Sequence, residues 1–220
     1  KNDKPRENSE NISTALSKGF LFLKDKSGVL FLGITTIMSD VAIWGALSVL
    51  TITMSKEIFN KGSWGYGLMD GMYGFGALIS TIVVAIITKK FGRRKSLIWC
   101  YSIAGLCCFI SPFSPTIYIA GIAYLLMGLH NNSARIIVRT LFMEIIPNNI
   151  MGRVQTIFGV YTRVMMLTSV LIAGWVTENL NPHIGMNFAS AHYLIALIGI
   201  IVISKFSNFR REIFKVKNHA

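Results

Sequence analysis

Charge is what this sequence has least of. Only 15% of its 220 residues are Asp, Glu, Lys or Arg, against roughly 25% in an ordinary soluble domain. With 52% hydrophobic residues and a mean hydropathy of +0.53, the chain lacks the polar side chains needed to cover a globular surface. That excludes a soluble domain and predicts a membrane protein. Acidic residues are scarce, 10 against 22 Lys and Arg. Cysteine is confined to Cys100, Cys107 and Cys108, all inside one apolar segment. Their spacing fits neither a metal site nor a disulfide framework, so they read as buried thiols. No Walker pattern and no dinucleotide glycine motif occurs, and no cofactor or metal is expected. The sequence also lacks convergent paired acids, a His cluster or a nucleophile with its base, which argues against an enzyme.

What is present is hydrophobic length. Six apolar stretches, 28–54, 64–88, 96–112, 116–143, 153–178 and 188–206, are candidates to cross a bilayer core of about 30 Å. The opening KNDKPRENSE is polar and has no apolar h-region, so it is no signal peptide; it reads as a linker within a longer polypeptide. Across 11–26, Ile12, Leu16, Phe20 and Leu23 recur at helical spacing among Lys18, Lys24 and Lys26, the pattern of a helix lying along a membrane surface. The organisation predicted is a linker unit over 1–27, a membrane unit over 28–206 and a basic tail over 207–220.

The stretch ITKKFGRRKS places Lys89, Lys90, Arg93, Arg94 and Lys95 between two apolar runs. With the N-terminal segment, Arg153 and the tail cations Lys205, Arg210, Arg211, Lys215 and Lys217, it puts most cations on one side of the membrane. The other side has only Lys56 and Lys61. The positive-inside rule then makes both termini cytoplasmic. The net charge of +12 is thereby explained as a topology signal, and no nucleic-acid partner is expected.

KKFGRRK between the second and third stretches resembles the loop signature of the major facilitator superfamily, there joining the second and third helices of each six-helix half. Its Gly92, Arg93 and Arg94 fall on that signature, while Lys89 stands where the family usually carries an acid. GLHNNSARIIVRTLFMEIIPNNIMGRVQTIFGV, with Glu144, Pro147, Gly152 and Arg153, is similar to the corresponding segment of the drug-and-siderophore exporter branch, which includes macrolide-efflux-like proteins. SKGFLFLKDKSGVLFL resembles that family's central linker helix. The resemblance implies an all-α polytopic fold and a C-terminal six-helix half built as two inverted three-helix repeats. It also implies a missing N-terminal half in the same chain and proton-coupled export of a drug or siderophore from a bacterial inner membrane.

Ionisable groups inside spans need a reason, since each costs about 2.5–3.5 kcal/mol on insertion scales. Asp40, mid-way along the first stretch, suits a proton carrier or an acid bonded to a neighbouring helix. Asp70, among Gly67, Gly71, Gly74 and Gly76, is a second proton-site candidate or an acid satisfied by water; those glycines suit helix packing. Arg163 stays charged and needs an anion: Asp40, Asp70 or an acidic group on a substrate. Arg135 and Arg139 share a helix face and either snorkel or form an inner gate with Glu144 and Arg153. His130, Asn131, Asn132 and Ser133 make the fourth stretch polar in its middle, and His130 and Asn131 are candidates to line a substrate cavity. Trp44 suits substrate stacking or core packing; Trp64, Tyr66 and Trp175 suit interfacial anchoring. The partners expected are a small-molecule substrate, protons, the bilayer and the missing half. The alternative is a partner-binding membrane protein that transports nothing, or a membrane component of another transport system.

Overall fold

The structure is a computed structural model that describes residues 12–214, with side chains from Leu16 onward. The N-terminal linker, the Ile12 side chain, Lys215 and Lys217 lie outside the described residues. The described chain is helical: α1 (Ile12–Asp25), α2 (Ser27–Ile58), α3 (Gly62–Ile110), α4 (Ile117–Ile145), α5 (Asn148–Asn179), α6 (Pro182–Lys205) and α7 (Ser207–Phe214). A short 3₁₀ turn, Ser111–Phe113, continues α3.

α2 is the central element. Two-thirds of its most apolar window is buried, against 17% for those of α3 and α5, so α2 is enclosed while the other two flank it. It is not a uniform helix: Ala42–Ala46 and Met54–Ile58 are wide π-type turns. Such turns leave backbone groups less regularly paired and recur at functional sites. At the first of them Gly45 lets α5 come close; a Cβ there would lie 3.2 Å from Ser169 Cβ. Ser169 in turn bonds His192 Nε2 at 3.2 Å, tying α5 to α6.

α3 has 49 residues, about 74 Å if straight, more than twice a bilayer core. It does not run straight. Gly92 adopts φ 75° and ψ 155°, and the Ser96 hydroxyl donates to the carbonyls of Gly92 (2.9 Å) and Ile87 (3.2 Å), so the chain doubles back there. The first arm, 62–91, locks onto α4 through two reciprocal contacts. A Cβ on Gly76 would run into the Leu125 carbonyl oxygen, and one on Gly128 into that of Tyr73. The second arm, 93–110, packs against α6, where a Cβ on Gly105 would lie 3.0 Å from Tyr193 Cβ.

α1 is a helix within the stretch 11–26, where a helix along the membrane surface was expected. It seats Gly19 against Arg153 and buries Leu23, while Leu16 and Phe20 stay exposed. The tail differs from expectation, since its first half is α7, folded back on α2. Phe209 stacks on Phe31 at 5.9 Å, Ile213 is fully buried, and Glu212 Oε1 accepts from the Val29 amide at 3.1 Å.

By length and composition four described helices can cross a membrane: Ser27–Ile58, Gly62–Phe113, Asn148–Asn179 and Pro182–Lys205. Six stretches were expected. Two of them are the arms of α3, and another is α4, whose apolar character is diluted by His130, Asn131, Asn132 and Ser133.

Candidate functional site

Two cavities open among α2, the two arms of α3, α4 and α5. The first, about 450 Å³, is lined by Ser39, Asp40, Tyr101, Arg135, Arg139 and Gln155, among others. The second, about 380 Å³, takes Trp44, Asp70, Tyr73, Tyr124, Asn132 and again Arg135. Arg135 is thus part of the wall between them. Asp40 stands two residues before the wide turn of α2 and reaches Arg135 Nε at 3.5 Å. Their side chains are 26% and 34% exposed, so water partly screens the pair.

The wall continues as a hydrogen-bonded cluster. Asn131 Nδ2 and Asn132 Nδ2 donate to the Tyr73 hydroxyl at 3.0 and 3.4 Å. Deeper in the second cavity, Tyr124 and Thr51 share a hydroxyl–hydroxyl bond of 3.0 Å. Trp44, carried on the wide turn, is 56% exposed and offers its ring to the same space.

The residues singled out from sequence divide accordingly. Asp40, Arg135 and Arg139 come together at the first cavity, Asp70 and Trp44 at the second. Asn131 is buried behind the wall; its neighbour Asn132 is the one that faces the second cavity. His130 Nδ1 bonds its own helix at the Leu126 carbonyl, 2.8 Å away. Arg163 is exposed and lines neither cavity, and among the described residues Asp40 pairs with Arg135, not with Arg163. At the basic end Arg93 grips Glu144 in a two-pronged ion pair, Nη2 to Oε1 at 2.7 Å and Nη1 to Oε2. Arg94 is exposed, and Arg153 packs its Cβ against Gly19 of α1. Tyr73 was not singled out from sequence. Its spacing of three from Asp70 on one helix was the available signal, since such residues share a face. Among the described residues no group of three or more His, Cys, Asp or Glu could hold a metal ion.

The sequence matches the Major Facilitator Superfamily over residues 29–214, nearly the whole described bundle. The chain belongs to that superfamily. Its long apolar helices accordingly make it an integral membrane protein. A D-xylose transporter of Levilactobacillus brevis is 26% identical over 158 residues, which is 72% of this chain and 32% of that relative. The chain therefore spans about a third of the length of this relative over the matched region. As a superfamily member it is a bundle whose two cavities gather charged, amide and aromatic groups on one flank.

Proposed function

We propose that the chain is the C-terminal half of a secondary active transporter that moves a small organic molecule by alternating access, coupled to protons. The carrying observation is the Asp40–Arg135 pair at the wall shared by the two cavities. A proton on Asp40 removes the charge that holds Arg135, so one binding event alters both cavities at once. In this reading α3 counts as two spans and α4 as another, giving six helices in two inverted three-helix repeats. The cavity flank faces the N-terminal half, both termini are cytoplasmic, and the membrane is a bacterial inner membrane. Asp70 is the second proton-site candidate. Trp44 and Asn132 contact substrate from the second cavity, and Arg139 and Arg163 attract anionic groups. Gly92, Arg93, Arg94, Glu144 and Arg153 form the cytoplasmic gate. A transporter fits these scattered single groups better than an enzyme does.

The substrate proposed from the branch resemblance is a drug or siderophore, exported. A second reading has its own support: the second cavity combines an indole, phenols, an amide and hydroxyls, a set that stacks on and hydrogen-bonds to a neutral polyhydroxylated ring, and the relative above is a D-xylose transporter. The test uses the full-length protein in proteoliposomes with an imposed pH gradient. Asp40→Asn is expected to abolish gradient-driven accumulation while leaving substrate exchange intact; gradient-driven transport that survives the substitution removes Asp40 as the carrier. Labelled D-xylose, an anionic siderophore and a macrolide, assayed in parallel, separate the two substrate readings.

A further inference from the structure

The first cavity is lined by two guanidiniums and a single carboxylate. Arg135 and Arg139 stand four residues apart on α4, so they share one helix face, and both reach this cavity. Among the described residues neither donates a hydrogen bond, and Arg139 has no ion pair. Asp40, the one acid of the lining, meets Arg135 at 3.5 Å. That is looser than a charge-assisted hydrogen bond, at about 2.7–2.9 Å. The other titratable group here is Tyr101, from the second arm of α3, and α5 contributes only uncharged groups. A guanidinium carries N–H donors in a planar fork and no acceptor, so this wall is complementary to an anion with two oxygens. Phe142 and Phe158, stacked at 5.5 Å, line the same cavity and offer an apolar seat for the carbon body that bears such a group.

We infer that the first cavity binds an organic monocarboxylate, its acid group held by Arg135 and Arg139 in competition with Asp40 and its carbon body set on Phe142 and Phe158. The inference rests on the transport reading above and names a substrate class for the cavity that carries Asp40. A proton on Asp40 removes the competitor for Arg135 and leaves both guanidiniums to the acid. Linkage is reciprocal, so the bound acid favours the protonated form of Asp40 to the same degree. Acid and proton therefore load together, whereas a cation in this cavity and the proton exclude each other.

The test uses the full-length protein in proteoliposomes with Gln155→Cys as a thiol in the cavity wall, its labelling read on the peptide that carries it. Its rates with an anionic and a cationic methanethiosulfonate are each divided by the rate of the same reagent with a small thiol in solution. The anionic reagent is expected to be favoured by about 10-fold or more, as in clefts lined by one sign of charge. Arg139→Gln is expected to lower that preference and Arg139→Lys to keep it. No preference, or one that Arg139→Gln leaves intact, overturns the anion site. Benzoate is expected to slow the labelling and its neutral isostere benzamide to leave it unchanged; equal protection by the two, or none by benzoate, overturns the carboxylate as ligand. Asp40→Asn, which mimics the protonated form, is expected to lower the benzoate concentration for half-protection about two- to fivefold, the worth of a partly screened pair. An unchanged or higher concentration overturns the competition. Gradient-driven transport that survives Asp40→Asn defeats the coupling reading alone, while the labelling still decides whether the cavity takes an acid.

Discussion

Glycines that look alike in the sequence behave differently one by one. Gly67, Gly71 and Gly74 would meet nothing within 4 Å if given a Cβ, while Gly76 and Gly128 would meet backbone carbonyls of the facing helix. Gly128→Ala is therefore expected to destabilise the bundle by about 1–3 kcal/mol, the cost of forcing an extra carbon into a filled contact. Gly71→Ala is expected to be neutral or to stabilise by up to about 1 kcal/mol through helix propensity. Thermal melting of the two variants in one detergent checks the contrast. From sequence all four glycines of 67–76 suit packing, because composition says that small residues let helices approach but not which face meets a neighbour. The same gap explains the charges. Asp40 was legible as an acid in a span, but its pairing with Arg135 depends on how α2 is rotated at its wide turn, and no apolar periodicity carries that. Arg163 was legible as needing an anion and stands exposed on α5 without one of the expected acids.

Helices and their ends were read more closely than their partners. KKFGRRK was expected as a connection, and the reversal indeed falls inside it, yet the turn is made at the single residue Gly92. Its φ of 75° with ψ of 155° is a region open essentially to glycine, and no neighbour fills the space beside it. Gly92→Ala is expected to cost about 1–3 kcal/mol from backbone strain alone, seen as a lower Tm. Asn181 starts α6 by accepting the Ile184 amide at 2.9 Å, with Pro182 at the first helical position. Asn181→Ala should lower stability by about 1 kcal/mol, the typical worth of such a cap, and Asn181→Asp should preserve it. Boundaries moved where local chemistry outranked hydropathy. α5 begins at Asn148 directly after Pro147, ahead of the expected 153, because proline both ends one helix and permits the next. α7 was invisible to a reading by charge, since Phe209 and Ile213 make its apolar side only once α2 is there to receive them.

Across the molecule, composition alone identified a membrane protein, because 15% charge cannot clothe a soluble surface. At the basic end, Arg93 and Glu144 were both singled out from the sequence, but that they bond each other was not legible there. That pair has side chains 39% and 28% exposed, which limits its worth to about 1 kcal/mol or less. Arg93→Glu replaces that attraction with a repulsion of similar size, so it is expected to shift the balance between inward- and outward-open forms by no more than about 30-fold, read from the labelling of an engineered cysteine in the first cavity. The double exchange with Glu144→Arg should restore it; a double variant no better than the single one would show that the pair has no gating role. Native thiols will not interfere, since Cys100, Cys107 and Cys108 are all buried. One further contact bears on how the molecule comes into being. α2 opens behind Lys26, whose side chain caps nothing, and the carboxylate that faces its positive end belongs to Glu212, 183 residues after the Val29 amide it accepts from. At synthesis rates of about 5–20 residues per second, the first long helix spends on the order of 10–40 s in the membrane before that partner exists. A ribosome stalled before Glu212 would leave every long helix made and the first of them still unfastened.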